Sequence, residues 1–152
     1  MSRTSTTTVP TFVHVPADQA AHPSAAQDWW YAVGHLVSGG HEYGYEVQLT
    51  KQGVTQLSIT DVTAGKYYTQ QVAYKAGEFS VSATKLDVRM PNATMTGTMD
   101  AMHLTATLPE GSLDLQLSAR GPAMYGNGTG CFPSSPARAT TIRCPTCRPP
   151  GP

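Results

Sequence analysis

Hydrophobic and polar residues alternate with a period of two along most of the chain from Trp29 to Leu117, and no stretch carries a convincing helical period. In Glu42-Tyr43-Gly44-Tyr45-Glu46-Val47-Gln48-Leu49-Thr50-Lys51, Tyr43, Tyr45, Val47 and Leu49 share one side, and Glu42, Glu46, Gln48 and Thr50 the other. That pattern belongs to a strand with one buried and one wet face. The limb before it is apolar on both parities, with Trp29, Tyr31 and Val33 on one and Trp30, Ala32 and Leu36 on the other. A strand of that kind needs cover on both sides. With the Ser38-Gly39-Gly40-His41 turn between them, the two limbs read as a hairpin that holds both Trp and three Tyr.

The later segments follow the same rule. Thr55, Leu57, Ile59 and Asp61 form one row, which sets a carboxylate in line with the apolar side at a strand end. Lys66 to Tyr74 carries Tyr67, Tyr68, Val72 and Tyr74 after a turn at Thr63-Ala64-Gly65. Phe79, Val81 and Ala83 hold one parity and Leu86, Val88 and Met90 the other, a switch that predicts a bulge or turn near Thr84-Lys85. Three more rows follow: Ala93 to Met99, Met102 to Leu108 and Leu113 to Leu117. About eight short antiparallel strands in up-and-down order predict an all-β meander barrel, closed or nearly closed. A barrel of that size is filled by side chains or holds one small ligand.

Composition narrows the function classes. At 152 residues the chain is one ordinary domain with a single core, and its formal charge is zero with 13% charged residues. No basic run tracks a phosphate backbone, so nucleic acid is not expected as a partner. No apolar run is long enough to span a bilayer and Met1 to Thr8 lacks the apolar stretch of a signal peptide, so a soluble, cytoplasmic protein is expected. Residues 1–27 read as an extended lead-in and 28–130 as the barrel. The tail, 131–152, contains all three Cys and no Asp or Glu, and is read as irregular and disordered.

Asp28-Trp29-Trp30-Tyr31, Gly34-His35-Leu36, Tyr43-Gly44-Tyr45-Glu46, Gly121-Pro122 and Gly126-Asn127-Gly128-Thr129-Gly130 carry a resemblance. Together they resemble the first domain of the carotenoid 1,2-hydratase and AttH-like family, over roughly residues 10 to 133. The resemblance implies a lipocalin-like barrel, the first of two, and a hydrophobic small molecule as partner. Members hydrate isoprenoid chains, hydrate prenylated flavonoids as kievitone hydratase does, or guide cycloaddition of polyketides in decalin-forming relatives. Membership does not choose among these chemistries. The tail departs from the family pattern: Cys144-Pro145-Thr146-Cys147-Arg148-Pro149-Pro150-Gly151 stands where a phrase close to Leu-Pro-Asn-Leu-Thr-Thr-Gly is expected. An adjacent reading frame with GC-rich codons can spell Leu-Pro-Asn-Leu-Pro-Thr-Thr-Gly. A frameshift after Gly130 with loss of the second domain, leaving a truncated and inactive fragment, is therefore one expectation.

Candidate chemistry then falls on few residues. Trp29, Trp30, Tyr31, Tyr43 and Tyr45 either line a pocket for a polyene, whose cationic character aromatic faces stabilise, or simply fill the barrel. Adding water to an alkene needs a strong acid, usually a desolvated carboxylic acid. Asp61 and Asp28 are the candidates, as a hydro-lyase acid or, on the plainer reading, as a turn former and a backbone acceptor. His35 either bonds a ligand or is structural. No metal or cofactor is expected: His14, His22, His41 and His103 show no ligand spacing, and Cys144-x-x-Cys147 lacks a second pair. The alternatives to an enzyme domain are a lipocalin-like module that binds without chemistry, or a fragment that self-associates through an uncovered apolar face.

Overall fold

A computed structural model describes residues 13–125 together with four two-residue strands of the tail. A short 3-10 turn, Ala17–Gln19, precedes two antiparallel meanders. The first sheet runs in the order β1 (Trp29–Ser38), β2 (His41–Thr50), β3 (Val54–Asp61) and β4 (Lys66–Ala73). The second contains β5 (Ser80–Val81), β6 (Leu86–Met90), β7 (Ala93–Thr98), β8 (Ala101–Leu108) and β9 (Gly111–Ala119), again in chain order. Beyond them lie β10 (Met124–Tyr125), β11 (Cys131–Phe132), β12 (Ala139–Thr140), β13 (Ile142–Arg143) and β14 (Cys147–Arg148), the last paired with β9.

Apart from the outer row of β1, strand positions and buried parity follow the sequence pattern in both sheets. Gly39 and Gly40 both have positive φ, 57° and 81°, and Ser38 pairs with His41. This is the two-residue turn whose twist matches that of the strands, and glycine adopts it without steric cost. The parity switch after Ala83 is a turn, in which the Ser82 N–H donates to the Asp87 carbonyl at 3.0 Å.

The ladders do not close into a ring among the described residues. Sequence alternation predicts a closed or nearly closed barrel, yet β4 bonds only β3 and β5 only β6. Between them the chain turns sharply at Lys75 to Glu78, where the Glu78 N–H donates to the Lys75 carbonyl and the Lys75 N–H to Glu78 Oε2. Alternation reports which side of a strand is buried; it does not report whether edge strands meet.

One core joins the two sheets. Val47, Leu49 and Leu57 from the first pack with Leu86, Val88, Met90, Met95, Leu104, Ala106, Leu108 and Leu117 from the second. Leu49, Leu57 and Leu104 have no exposed surface, so truncating any of them to Ala removes about 2–5 kcal/mol.

The segment before β1 is packed against both sheets. Val13, Ala20 and Ala21 are buried. Trp30 Nε1–H donates to the Gln19 carbonyl at 2.8 Å, and the Ala21 N–H to the Ser82 carbonyl at 2.8 Å, so the segment bridges β1 and the β5–β6 turn. Lys51 fixes it from the other side, its Nζ donating to the carbonyls of His22 at 2.6 Å and Ala25 at 2.7 Å. Replacing Lys51 with Met removes these charge-assisted bonds while keeping the aliphatic stem. The expected result is a stability loss of about 1–3 kcal/mol in denaturant titrations, with amide exchange accelerated first at Ala20 and Ala21.

Candidate functional site

Cross-strand register orders the inner face of the first sheet into ranks. The deepest are Trp30, Leu49, Thr55, Val72 and then Ala32, Val47, Leu57, Gln70. Above them come Gly34, Tyr45, Ile59, Tyr68 and finally Leu36, Tyr43, Asp61, Lys66. Val47, Leu49, Thr55 and Leu57 are fully buried, whereas Leu36, Tyr43, Tyr45, Ile59 and Tyr68 are half-buried. Along β2 and β3 the inner face thus passes from fully buried near the lead-in to half-buried toward the hairpin tip, where aromatic side chains form a mouth.

Gly34 makes room for this mouth. A Cβ there would lie 2.7 Å from the Tyr45 hydroxyl oxygen, so the tyrosine ring rests against bare backbone. Burial of Tyr45 raises its phenol above the ordinary value.

At the rim, His41 stacks on Tyr43 with ring centroids 5.9 Å apart and planes at 19°. Its Nδ1 is 2.9 Å from Asp61 Oδ2, while Asp61 Oδ1 accepts the Ala64 N–H at 2.8 Å. The Ala64 hydrogen bond is the main cause that lowers the Asp61 pKa; the bond and charge of His41 and the charge of Lys66 add to it, against an opposing desolvation effect. Asp61 is therefore held as a carboxylate, the reverse of the desolvated acid that alkene protonation needs.

The residues singled out from sequence fall on different faces. Trp30, Tyr43 and Tyr45 lie on the inner face; Trp29, Tyr31 and His35 lie on the outer one, with Val33 and Val37. The apolar outer row of β1 is uncovered among the described residues, with Trp29 46%, Val33 59% and Val37 73% exposed. Cover on both sides, which its composition suggests, is absent there.

Asp28 stands near the far end of β1 from Asp61, about 25 Å away at the usual rise per residue. Its carboxylate accepts the His22 N–H at 2.7 Å and lies 3.1 Å from His22 Nδ1 and 3.9 Å from Lys51 Nζ. The two carboxylates cannot act on one bond.

A depression lies mainly on the outer face. Gly44, Ser58 and Thr60 form its floor, Val33, His35, Glu46 and Tyr67 border about 380 Å³, and Gly34 and Tyr45 also line it. Its polar floor is a hydroxyl chain, in which Ser58 Oγ lies 3.1 Å from the Tyr67 hydroxyl and 3.2 Å from Thr69 Oγ1.

Tyr68, Ile59, Gly34 and His41 were not legible as site residues from spacing. Tyr68 becomes visible once register pairs it with Ile59, and His41 once its parity is matched with that of Asp61. Among the described residues, no cluster of three or more His, Cys, Asp or Glu could hold a metal, and no helix is long and apolar enough to cross a membrane. The Gly126 to Gly130 loop and Cys144 lie outside the described residues.

With this geometry in hand, the match of the AttH-like family model to residues 6–141 decides the family. The chain belongs to the AttH-like family. The match begins before the aromatic hairpin and extends past Gly130, the point at which the sequence suggests a shifted frame. A crystal structure of a provisional AttH from Nitrosomonas europaea has the same fold, with a TM-score of 0.70 at 17% identity. The alignment covers 84% of this AttH-like chain and 45% of the Nitrosomonas protein, so the chain spans under half the length of that relative. No curated protein matches it.

The Asp61 geometry fixes a sign. A carboxyl whose folded-state pKa is depressed contributes stability that is fully present above its unfolded value, about 3.9. That contribution is lost as pH falls through the folded pKa. Carboxyl NMR is expected to give Asp61 a midpoint below the ordinary aspartate range, and Asp61→Asn to flatten the acid limb of the stability curve. A midpoint at or above the ordinary value contradicts the Ala64 and His41 bonding.

Proposed function

We propose that this AttH-like chain is a lipocalin-like domain that binds a hydrophobic isoprenoid or polyketide ligand in its inner aromatic mouth. The observation that supports this reading is the row of Tyr45, Ile59 and Tyr68, which stays half-buried next to Val47, Leu49, Thr55 and Leu57, the fully buried residues of β2 and β3. Aromatic faces there meet an apolar chain, and the buried Val47 and Leu57 below limit how deep it reaches. Among the family's chemistries, guiding a cycloaddition agrees best with the site. It calls for shape and apolar walls rather than an acid, whereas hydration calls for a protonated carboxyl that Asp61 does not supply. A non-catalytic binding module is the second reading, favoured by the same ionised Asp61.

Retinol fluorescence tests the mouth. Wild-type chain is expected to enhance it saturably; Tyr45→Ala and Gly34→Leu are expected to weaken binding about tenfold or more, given the apolar area of one aromatic side chain. Tyr31→Ala on the outer face is expected to change nothing. Equal effects from inner and outer substitutions, or no binding, would remove the proposal.

The outer row suggests a further partner. We infer that Trp29, Val33 and Val37, on an edge strand without cover among the described residues, support self-association of this chain. Sedimentation is expected to show a concentration-dependent dimer that Val33→Lys with Val37→Lys reduces to monomer; a wild-type monomer at all concentrations refutes it.

A further inference from the structure

The rim of the mouth carries a polar device that neither binding of an apolar chain nor the acid chemistry of hydration uses. Asp61 is fixed from two sides, one oxygen taking the Ala64 N–H and the other facing His41 Nδ1. An ionised carboxylate only accepts hydrogen bonds, so Nδ1 of His41 must carry the proton of that bond. In a neutral imidazole the remaining nitrogen, Nε2, then keeps its lone pair. No described residue hydrogen-bonds Nε2, and the ring lies near-parallel to that of Tyr43, part of the outermost rank of the mouth, with centroids 5.9 Å apart. The backbone supports the arrangement, since the Glu42 N–H donates to Thr63 Oγ1 and the Val62 N–H to the Glu42 carbonyl, tying the tips of β2 and β3.

We propose that His41 is a ligand-binding residue whose Nε2 accepts a hydrogen bond from a hydroxyl group on the apolar guest. This rests on the mouth reading and adds to it: the domain selects greasy molecules that end in a hydroxyl over those that end in an ether or hydrocarbon. Asp61 is then a positioning residue that sets the tautomer. A purely structural His–Asp clip needs only Nδ1 and is indifferent to what Nε2 meets.

The test uses the full chain at about pH 8, above the ordinary imidazole range, with 1-naphthol and 1-methoxynaphthalene as probes. Wild type is expected to bind the naphthol about five- to tenfold more tightly, the worth of one hydrogen bond. His41→Phe keeps a ring on Tyr43 and is expected to equalise the two probes without weakening the ether. Asp61→Asn still accepts the Ala64 N–H but turns a donor toward Nδ1. Imidazole ¹⁵N shifts should then report the proton on Nε2, and the preference for naphthol should disappear.

Equal binding of both probes to wild type, with Tyr45→Ala weakening both, overturns the role of His41 while the mouth stands. A naphthol preference that survives His41→Phe overturns it equally. Failure of both probes to bind removes both readings.

Discussion

The register of the first hairpin governs the rest of the molecule. Because Gly39 and Gly40 close a two-residue loop, Ser38 faces His41 and every later pair follows: Gly34 with Tyr45, Ala32 with Val47, Trp30 with Leu49. Side chains on a strand alternate, so a slip of one residue would send Tyr43, Tyr45, Val47 and Leu49 to the outside and bring Glu42, Glu46 and Gln48 into the core. Two glycines therefore determine which aromatics the core can use. The same register brings Tyr45 over Gly34, where the missing side chain leaves space for the ring.

The buried rows of the second meander were readable in advance because alternation maps directly onto burial when only one face is covered. Leu86, Val88 and Met90, then Leu104, Ala106 and Leu108, behave as their parity requires. Three features escaped that logic. Strand β1 carries large apolar groups on both parities, and only the inner set meets the opposite sheet. The Thr-, Pro- and Ala-rich lead-in looked extended, yet residues 13–28 contribute buried Val13, Ala20 and Ala21 through backbone hydrogen bonds that composition does not encode. His41 and Asp61 are twenty positions apart and meet only through sheet pairing, so no local motif announces them.

The two faces of the first sheet differ in chemical character. Inward, tyrosines sit above the buried Val47, Leu49 and Leu57; outward, glycine, serine and threonine leave a shallow hollow beside His35 and Glu46. The chain belongs to the AttH-like family and shares its fold with the Nitrosomonas protein.

The lead-in spans β1 and the β5–β6 turn, while each sheet is a chain of neighbouring hairpins. Hairpins between adjacent segments form from short loops, which lose little entropy on closure. Both meanders can thus organise independently, and the step left for last is their union, fastened by a strap of residues near the amino terminus. A ribosome delivers that strap before either sheet exists, so it must wait until Ser82 has emerged before its Ala21 amide finds a carbonyl.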